Sequence, residues 1–321
     1  MNQTNRPGGY VVAVGPNDID EYYECVQPLV VGDKCFIRQL SVSPGGLTAN
    51  SAVILSAFGT KTYLLDSLGD DQYTPMLLED LRSHGIDTDY IEVLPGEENI
   101  RAQILLSGNE KTVLLYENHK PFITMTPQKR ELMEGASYIY TTMVNMKEIE
   151  GNRELIDGLV AHGVKIMYDA ERSTFTSYDD PDDRFYFERA SVLSFNDASL
   201  EKFCAGRGLA AIDELIGGSD KIVLLTLGAK GCIVKTREGE IAIPAYDVKP
   251  KDTTGAGDTF NAGFLHGLCS GMTLREAGEF ATAAANRSIL SVGSRTGAVS
   301  VDEVEAFARE HAGLRVAPPV L

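Results

Sequence analysis

The residues from Asp252 to Phe264 read Asp-Thr-Thr-Gly-Ala-Gly-Asp-Thr-Phe-Asn-Ala-Gly-Phe. Gly255 and Gly257 permit a tight turn, and the pattern after them predicts a helix running to about Cys269. The first turn of a helix carries N–H groups without intrahelical partners, and its dipole favours negative charge. Such a turn is a ready anion site. Asp258 falls within it, so a carboxylate stands beside a bound anion. That pairing suits phosphoryl transfer: the Gly255, Ala256 and Gly257 amides would stabilise the moving group, and Asp258 would take the proton of an attacking hydroxyl. The helix dipole predicts an ionised Asp258 that acts by proximity rather than by high basicity. Four residues, Gly-x-Gly-Asp, are also compatible with a plain stabilising turn; the longer string is more specific.

Rival nucleotide chemistries fail on spacing. No G-x-x-x-x-G-K-[S/T] occurs, and Phe260 stands where a dinucleotide fingerprint begun at Gly255 requires glycine. Cys25, Cys35, Cys204, Cys232 and Cys269 are scattered without a C-x-x-C pair, and His84, His119, His162, His266 and His311 are equally dispersed. That pattern predicts neither a disulfide framework nor a zinc or histidine metal centre. With 29 basic and 46 acidic residues the formal net charge is −17, which argues against nucleic-acid and anionic membrane partners. A local nest of amides can still hold a nucleotide. The N-terminal MNQTNRPGG has no apolar signal core and no apolar run reaches membrane-spanning length, so the expected location is the cytoplasm.

Short β-branched runs at Tyr10–Val14, Lys61–Asp66, Tyr138–Thr141, Val164–Tyr168, Ser191–Ser194 and Ile222–Thr226 alternate with helical patterns. These include Pro75–His84 closed by Gly85, Met146–His162, Leu200–Gly217 and Thr273–Leu290. The alternation predicts a three-layer αβα fold with a mainly parallel central sheet, whose ligands sit at the carboxyl ends of the strands. Two segments, about 29–40 and 101–116, alternate without a helix between them, with Ser107–Glu110 as a hairpin turn. They predict a small β lid within one α/β domain spanning 1–321. The lid's edges would suit a homodimer contact, and the tail Ala317–Leu321 is expected to fray.

The Asp252–Phe264 string closely resembles the C-terminal signature of the PfkB/ribokinase family of carbohydrate kinases, and the resemblance extends along nearly the whole chain. Gly45-Gly46-Leu47-Thr48-Ala49-Asn50 is similar to that family's glycine pair and asparagine at a helix start, and Gly69-Asp70-Asp71 stands where the family has Gly-x-Asp. The resemblance implies a ribokinase-like fold and ATP-dependent phosphorylation of a sugar-like alcohol with Mg²⁺. It assigns acceptor binding to Gly46, Asn50 and Asp20, five residues after Gly15, with Asp18 competing for the role. It assigns nucleotide contacts to Asn196, to Thr226, Gly228 and Gly231, and to Asn286. In some members the positions of Asp252 and Thr254, with the loop Gly293–Ala298, bind a monovalent cation such as K⁺.

Departures from the pattern matter as well. Asn196-Asp197-Ala198-Ser199 stands where the family has Asn-x-x-Glu, and Ser199 cannot supply the carboxylate of a magnesium–water network; Glu201 is a candidate replacement. Leu47 replaces the lysine of ribose-specific members, and Thr141-Thr142 lacks their glutamate, so ribose itself is not implied. Arg101 would suit a phosphorylated sugar, and Tyr22, Tyr23 and Phe36 would suit a nucleoside base. A catalytically silent sugar or nucleotide sensor is the non-enzyme alternative.

Overall fold

The computed structural model describes residues 9–108, 110–116 and 123–320. The first eight residues, Asn109 of the hairpin turn, His119 and Leu321 lie outside them. Thirteen strands are described: β1 Val11–Val14, β2 Asp18–Cys25, β3 Ile37–Gly45, β4 Thr62–Gly69, β5 Ile91–Leu94, β6 Arg101–Ser107 and β7 Glu110–Leu115, then β8 Tyr138–Thr142, β9 Lys165–Asp169, β10 Val192–Asn196, β11 Ile222–Thr226, β12 Gly231–Thr236 and β13 Gly239–Pro244. Nine of them form the main sheet in the order β13-β12-β11-β10-β9-β8-β1-β4-β5. Its pairings are parallel except where β12 meets β11 and β13.

Strand β1 shows why the parallel strands were visible as unbroken apolar runs. Its four residues are fully buried, Val12 and Val14 against one face and Val11 and Ala13 against the other. A strand covered by helices on both sides has no polar face to alternate with. On the first face lie Leu155, Ile156 and Leu159 from the helix Asn152–Ala161. On the second lie Phe260, Phe264 and Leu265 from Ala256–Cys269, with Ala277, Phe280 and Ala281 from Leu274–Ser288.

Two expected helices are each divided. Met146–His162 becomes Met143–Lys147 and Asn152–Ala161, interrupted at Gly151 with φ 68°. Leu200–Gly217 becomes Asp197–Phe203 and Ala210–Ile216, with Gly206 and Gly208 at positive φ between them.

The other sheet has four strands, in the order β3-β2-β6-β7. Its pairing begins at Ile37 rather than at Leu29 and continues to Gly45. It includes β2, a segment that the sequence pattern did not mark as a strand. The residues of β2 carry no simple apolar alternation, and pairing with β3 on one side and β6 on the other holds them extended. Ile19 on β2 packs with Leu68 and Leu77 and anchors this small sheet to the main body.

Candidate active site

A cavity of about 890 Å³ opens where parallel strands end and the small sheet passes across. Its floor contains Gly255, Ala256, Gly257 and Asp258, beneath Gly46 and Asn50 of a second helix start. Gly255 is the N-cap of Ala256–Cys269, with φ 76°, and no side chain caps the helix. A Cβ at Gly255 would stand 2.0 Å from the Ser294 carbonyl oxygen, so only glycine fits. Gly257 does not have positive φ, and a Cβ there would meet nothing within 4 Å; its contribution is open space beside the helix start rather than turn geometry. The Ala256 N–H makes a long 3.3 Å bond to the Thr253 carbonyl, while the amides of Gly257 and Asp258 belong to the unpaired first turn.

Asp258 is held from outside its own helix. Asn50 donates through Nδ2 to Asp258 Oδ2 at 2.8 Å, and Arg295 Nε donates to Asn50 Oδ1 at 3.0 Å. Arg295 also donates to Asn17 Oδ1 at 2.6 Å and to the Gly45 carbonyl at 2.8 Å, and it pairs with Asp80. The guanidinium therefore ties its own loop to three segments far apart in sequence, at Asn17, at Gly45–Asn50 and at Asp80. The expectation that the helix dipole leaves Asp258 readily ionised is corrected. Burial pushes its pKa up to about 7, with Glu171 and Asp20 adding repulsion, against the opposing Asn50 hydrogen bond and Arg295 charge. Desolvation outweighs the dipole, and the carboxylate becomes a base matched to neutral pH. One Asn50 N–H is spent on Asp258, leaving one for an acceptor.

One side of the cavity is formed by the small sheet. Asp18 and Asp20 alternate onto the cavity face of β2, and Asp20 is buried rather than solvated. Burial raises the Asp20 pKa, opposed by Arg295 and a Ser294 hydrogen bond. Opposite β2, register brings Ala102, Ile104, Val113 and Leu115 onto the same face as an aliphatic roof. Arg101 turns elsewhere, donating to Glu98 at 3.2 Å with its guanidinium over the Tyr116 ring at 4.6 Å. Tyr22, Tyr23 and Phe36 do not form a common slot: Tyr22 is buried, Tyr23 donates to Glu21, and Phe36 is 79% exposed.

Asn196, Thr226, Gly228, Gly231 and Asn286 line the opposite end of the cavity, with Tyr246, Val248 and Ile289 giving it an apolar wall. Two of these asparagines are partly committed to structure. Asn286 Oδ1 accepts the Tyr246 N–H at 3.2 Å and its Nδ2 donates to the Thr282 carbonyl at 2.8 Å. Asn196 Oδ1 accepts the Ser199 N–H at 2.9 Å, and Ser199 Oγ accepts the Asn196 N–H at 2.9 Å in a capping box. Ser199 is fully buried in that cap. Glu201 is exposed and does not line the cavity, so it does not replace the missing carboxylate.

Asp169 and Glu171 do line it, at and just beyond the end of β9. Burial raises the pKa of both, and for Asp169 the Glu171 and Asp258 charges add to the rise. Asp169 Oδ2 accepts from Asn261 Nδ2 at 2.8 Å, and neither acid has an ion pair among the described residues. No cluster of three or more metal-binding side chains occurs among the described residues. Two carboxylates are nevertheless the complement that Mg²⁺ takes when phosphate oxygens and waters complete its shell.

Asp252 lies behind the glycine turn. Its Oδ1 accepts from the Thr254 N–H at 2.9 Å and Oγ at 2.7 Å, and its Oδ2 accepts the Gly293 N–H at 3.0 Å. These bonds lower its pKa against the opposing effect of burial.

Of the site candidates from the sequence, the glycine turn with Thr254 and Asp258, the residues Asp18, Asp20, Gly46 and Asn50, and the nucleotide-side set all line this one cavity, whereas Arg101, Tyr22, Tyr23, Phe36 and Glu201 do not; Asp252 supports it from behind. Arg295, Asp169 and Glu171 were missed. Arg295 lies inside the Gly293–Ala298 loop that had been singled out, and the two acids follow a parallel strand at its carboxyl end, where ligands gather.

The profile described as pfkB family carbohydrate kinase matches residues 23–300. The chain is 27% identical to the ribokinase of Bacillus subtilis over 269 residues, covering 82% of this chain and 86% of that protein. Among solved structures it is similar to Arabidopsis thaliana ribokinase complexed with ribose and ATP, with TM-score 0.77, 21% identity and coverage of 94% and 98%. It is also similar to a Burkholderia thailandensis nucleoside kinase in complex with inosine, with TM-score 0.78, 22% identity and coverage of 95% and 100%.

Proposed function

The chain belongs to the pfkB family of carbohydrate kinases, and from that premise we propose that it transfers the γ-phosphoryl group of ATP to a hydroxyl of an uncharged sugar-like acceptor. The observation that carries the reading is the carboxylate of Asp258 beside the Gly255–Gly257 turn, poised near neutral pH on a cavity that Asp18 and Asp20 also line.

The acceptor's hydroxyls hydrogen-bond to Asp18, Asp20 and the remaining Asn50 N–H, while the aliphatic roof covers an apolar face of the sugar. The reacting hydroxyl donates to Asp258. As its oxygen bonds to the γ-phosphorus, the bond from that phosphorus to the ADP oxygen breaks and the hydroxyl proton passes to Asp258. First-turn amides at Gly255–Gly257 hold the charge on the transferring oxygens. Thr226, Gly228 and Gly231 border the adenosine, which lies against Tyr246 and Ile289. Asp169 and Glu171, with Asn196 nearby, would hold Mg²⁺, which neutralises the β- and γ-phosphate oxygens when bound. Asp252 and Thr254 would hold a monovalent cation such as K⁺ that stiffens the turn.

Arg101 is engaged by Glu98 and Tyr116, which disfavours a phosphorylated sugar. A nucleoside is the second reading, favoured by the apolar roof. The whole chain acts as one catalytic unit with its β lid. The lid's edge strands β3 and β7 carry the exposed Leu40 and Leu114, and such edges suit the pairing of two copies. No described helix is long and apolar enough to cross a membrane, and all five cysteines are unpaired, in keeping with a reducing cytoplasm.

ADP release across neutral sugars, sugar phosphates and nucleosides tests the proposal. Release with neutral sugars supports it. Release with nucleosides alone transfers it to the second reading. Confirmed binding without release from any acceptor makes the protein a sensor.

A further inference from the structure

Charge balance in the cavity poses a problem for phosphoryl transfer. Asp18, Asp20, Asp169, Glu171, Asp197 and Asp258 all line it, and a nucleoside triphosphate would add further negative charge. Arg295 lies close, but four of its five N–H donors are taken by Asn17, Gly45, Asn50 and Asp80, and it does not line the cavity. Leu47 brings no charge to the neighbouring helix start. Among the described residues that line the cavity, one side chain is cationic: Lys111.

Lys111 is on β7, opposite Leu106 of β6, and shares the cavity-facing side of its strand with Val113 and Leu115. From there its Nζ reaches across the cleft and donates to Thr254 Oγ1 at 3.0 Å. Thr254 immediately precedes Gly255, so this ammonium lies at the rim of the turn that would hold the transferring group. Its charge is also felt at Asp20 and Asp252. The Thr254 hydroxyl donates its own hydrogen to Asp252, leaving an oxygen lone pair for Lys111. A phosphoryl oxygen is a far stronger partner for an ammonium than a neutral hydroxyl.

We propose that Lys111 is a catalytic residue: the small sheet delivers its ammonium to the transferring phosphoryl group, leaving Thr254 for a γ-phosphate oxygen. The inference rests on the kinase reading and adds the source of the compensating charge. A lysine on a flexible stem suits the role, because it can follow an oxygen as the group moves from donor to acceptor. Since the cation belongs to the strand that roofs the acceptor, the charge is complete only with that strand across the cleft. Acceptor binding and charge stabilisation are thereby coupled, which disfavours attack by water.

The test compares wild type with Lys111→Met and Lys111→Arg, after wild-type ADP release has been established with a neutral acceptor. Lys111→Met should lower kcat by on the order of 10²–10³, the scale for losing one donor to developing charge, with acceptor KM nearly unchanged and with Lys111→Arg recovering part of the loss. A second readout needs no turnover. ADP with tetrafluoroaluminate, a mimic of the group in flight, should bind Lys111→Met much more weakly than wild type, while ADP alone binds both equally. Wild-type turnover and fluoroaluminate binding in Lys111→Met would overturn the proposal and leave the kinase reading intact. A loss confined to anionic acceptors would overturn it too, reassigning Lys111 to acceptor recognition. Absence of ADP release from wild type with every acceptor would remove the kinase reading, and this proposal with it.

Discussion

Two neighbouring helices begin in opposite ways. Ala256–Cys269 starts from a glycine at positive φ with no side-chain cap. Leu274–Ser288, packed against it, starts from Thr273, whose hydroxyl accepts the Glu276 N–H while Glu276 reaches back to Thr273. Both helices face the same problem of unpaired first-turn amides. The second solves it internally with a capping box. The first leaves its amides to the cavity, and a backbone carbonyl from the distant Ser294 loop allows no side chain at the N-cap. An uncapped start that is also sterically enforced is the mark of a helix end kept available for a ligand. Gly151 begins another helix at positive φ, but a Cβ there would meet nothing within 4 Å, so that turn carries no such mark.

If the contrast is correct, Gly255→Ala is the most damaging of these changes. The new methyl group would collide with the Ser294 carbonyl, and moving the turn by about 1 Å should cost roughly 100-fold in turnover. Steady-state kinetics reads the loss, and an unchanged kcat would break the contrast. Asn50→Ala acts next. Its amide lowers the Asp258 pKa, so its removal should move the acid limb of the pH–rate profile upward. The base works only when ionised, so activity should rise with pH through about 7 in wild type and through a higher pH in the variant. A displacement of about one unit lowers turnover roughly tenfold on the acid side. Thr273→Ala should cost about 1 kcal/mol of stability in denaturant unfolding and leave kcat alone. A comparable loss of turnover would mean that the two helix starts are not different in kind.

How much of this was legible in the sequence follows from where the determining forces lie. The parallel strands were readable because burial on both faces writes itself as unbroken Val, Ile and Leu. The glycine turn and Asp258 were readable because turn, helix start and carboxylate are contiguous. Strand β2 was not, because Asp18–Cys25 is acidic and is made a strand by partners at Ile37–Gly45 and Arg101–Ser107. Arg295 was hidden for a related reason: its acceptors come from three separate segments, at Asn17, at Gly45 and Asn50, and at Asp80. The direction of the Asp258 pKa was misread because a dipole is a local property whereas desolvation depends on the assembled cavity. Gly151 and the pair Gly206 and Gly208 were available warnings that the two long helices would break.

Asp258→Asn tests the central claim most directly, with kcat on the best acceptor measured beside the dissociation constant of a non-hydrolysable ATP analogue. The substitution preserves shape and removes the proton acceptor. Turnover should fall by on the order of 10²–10⁴ while nucleotide affinity holds. Turnover close to wild type, with the analogue bound as before, would contradict the assignment of Asp258 as the base.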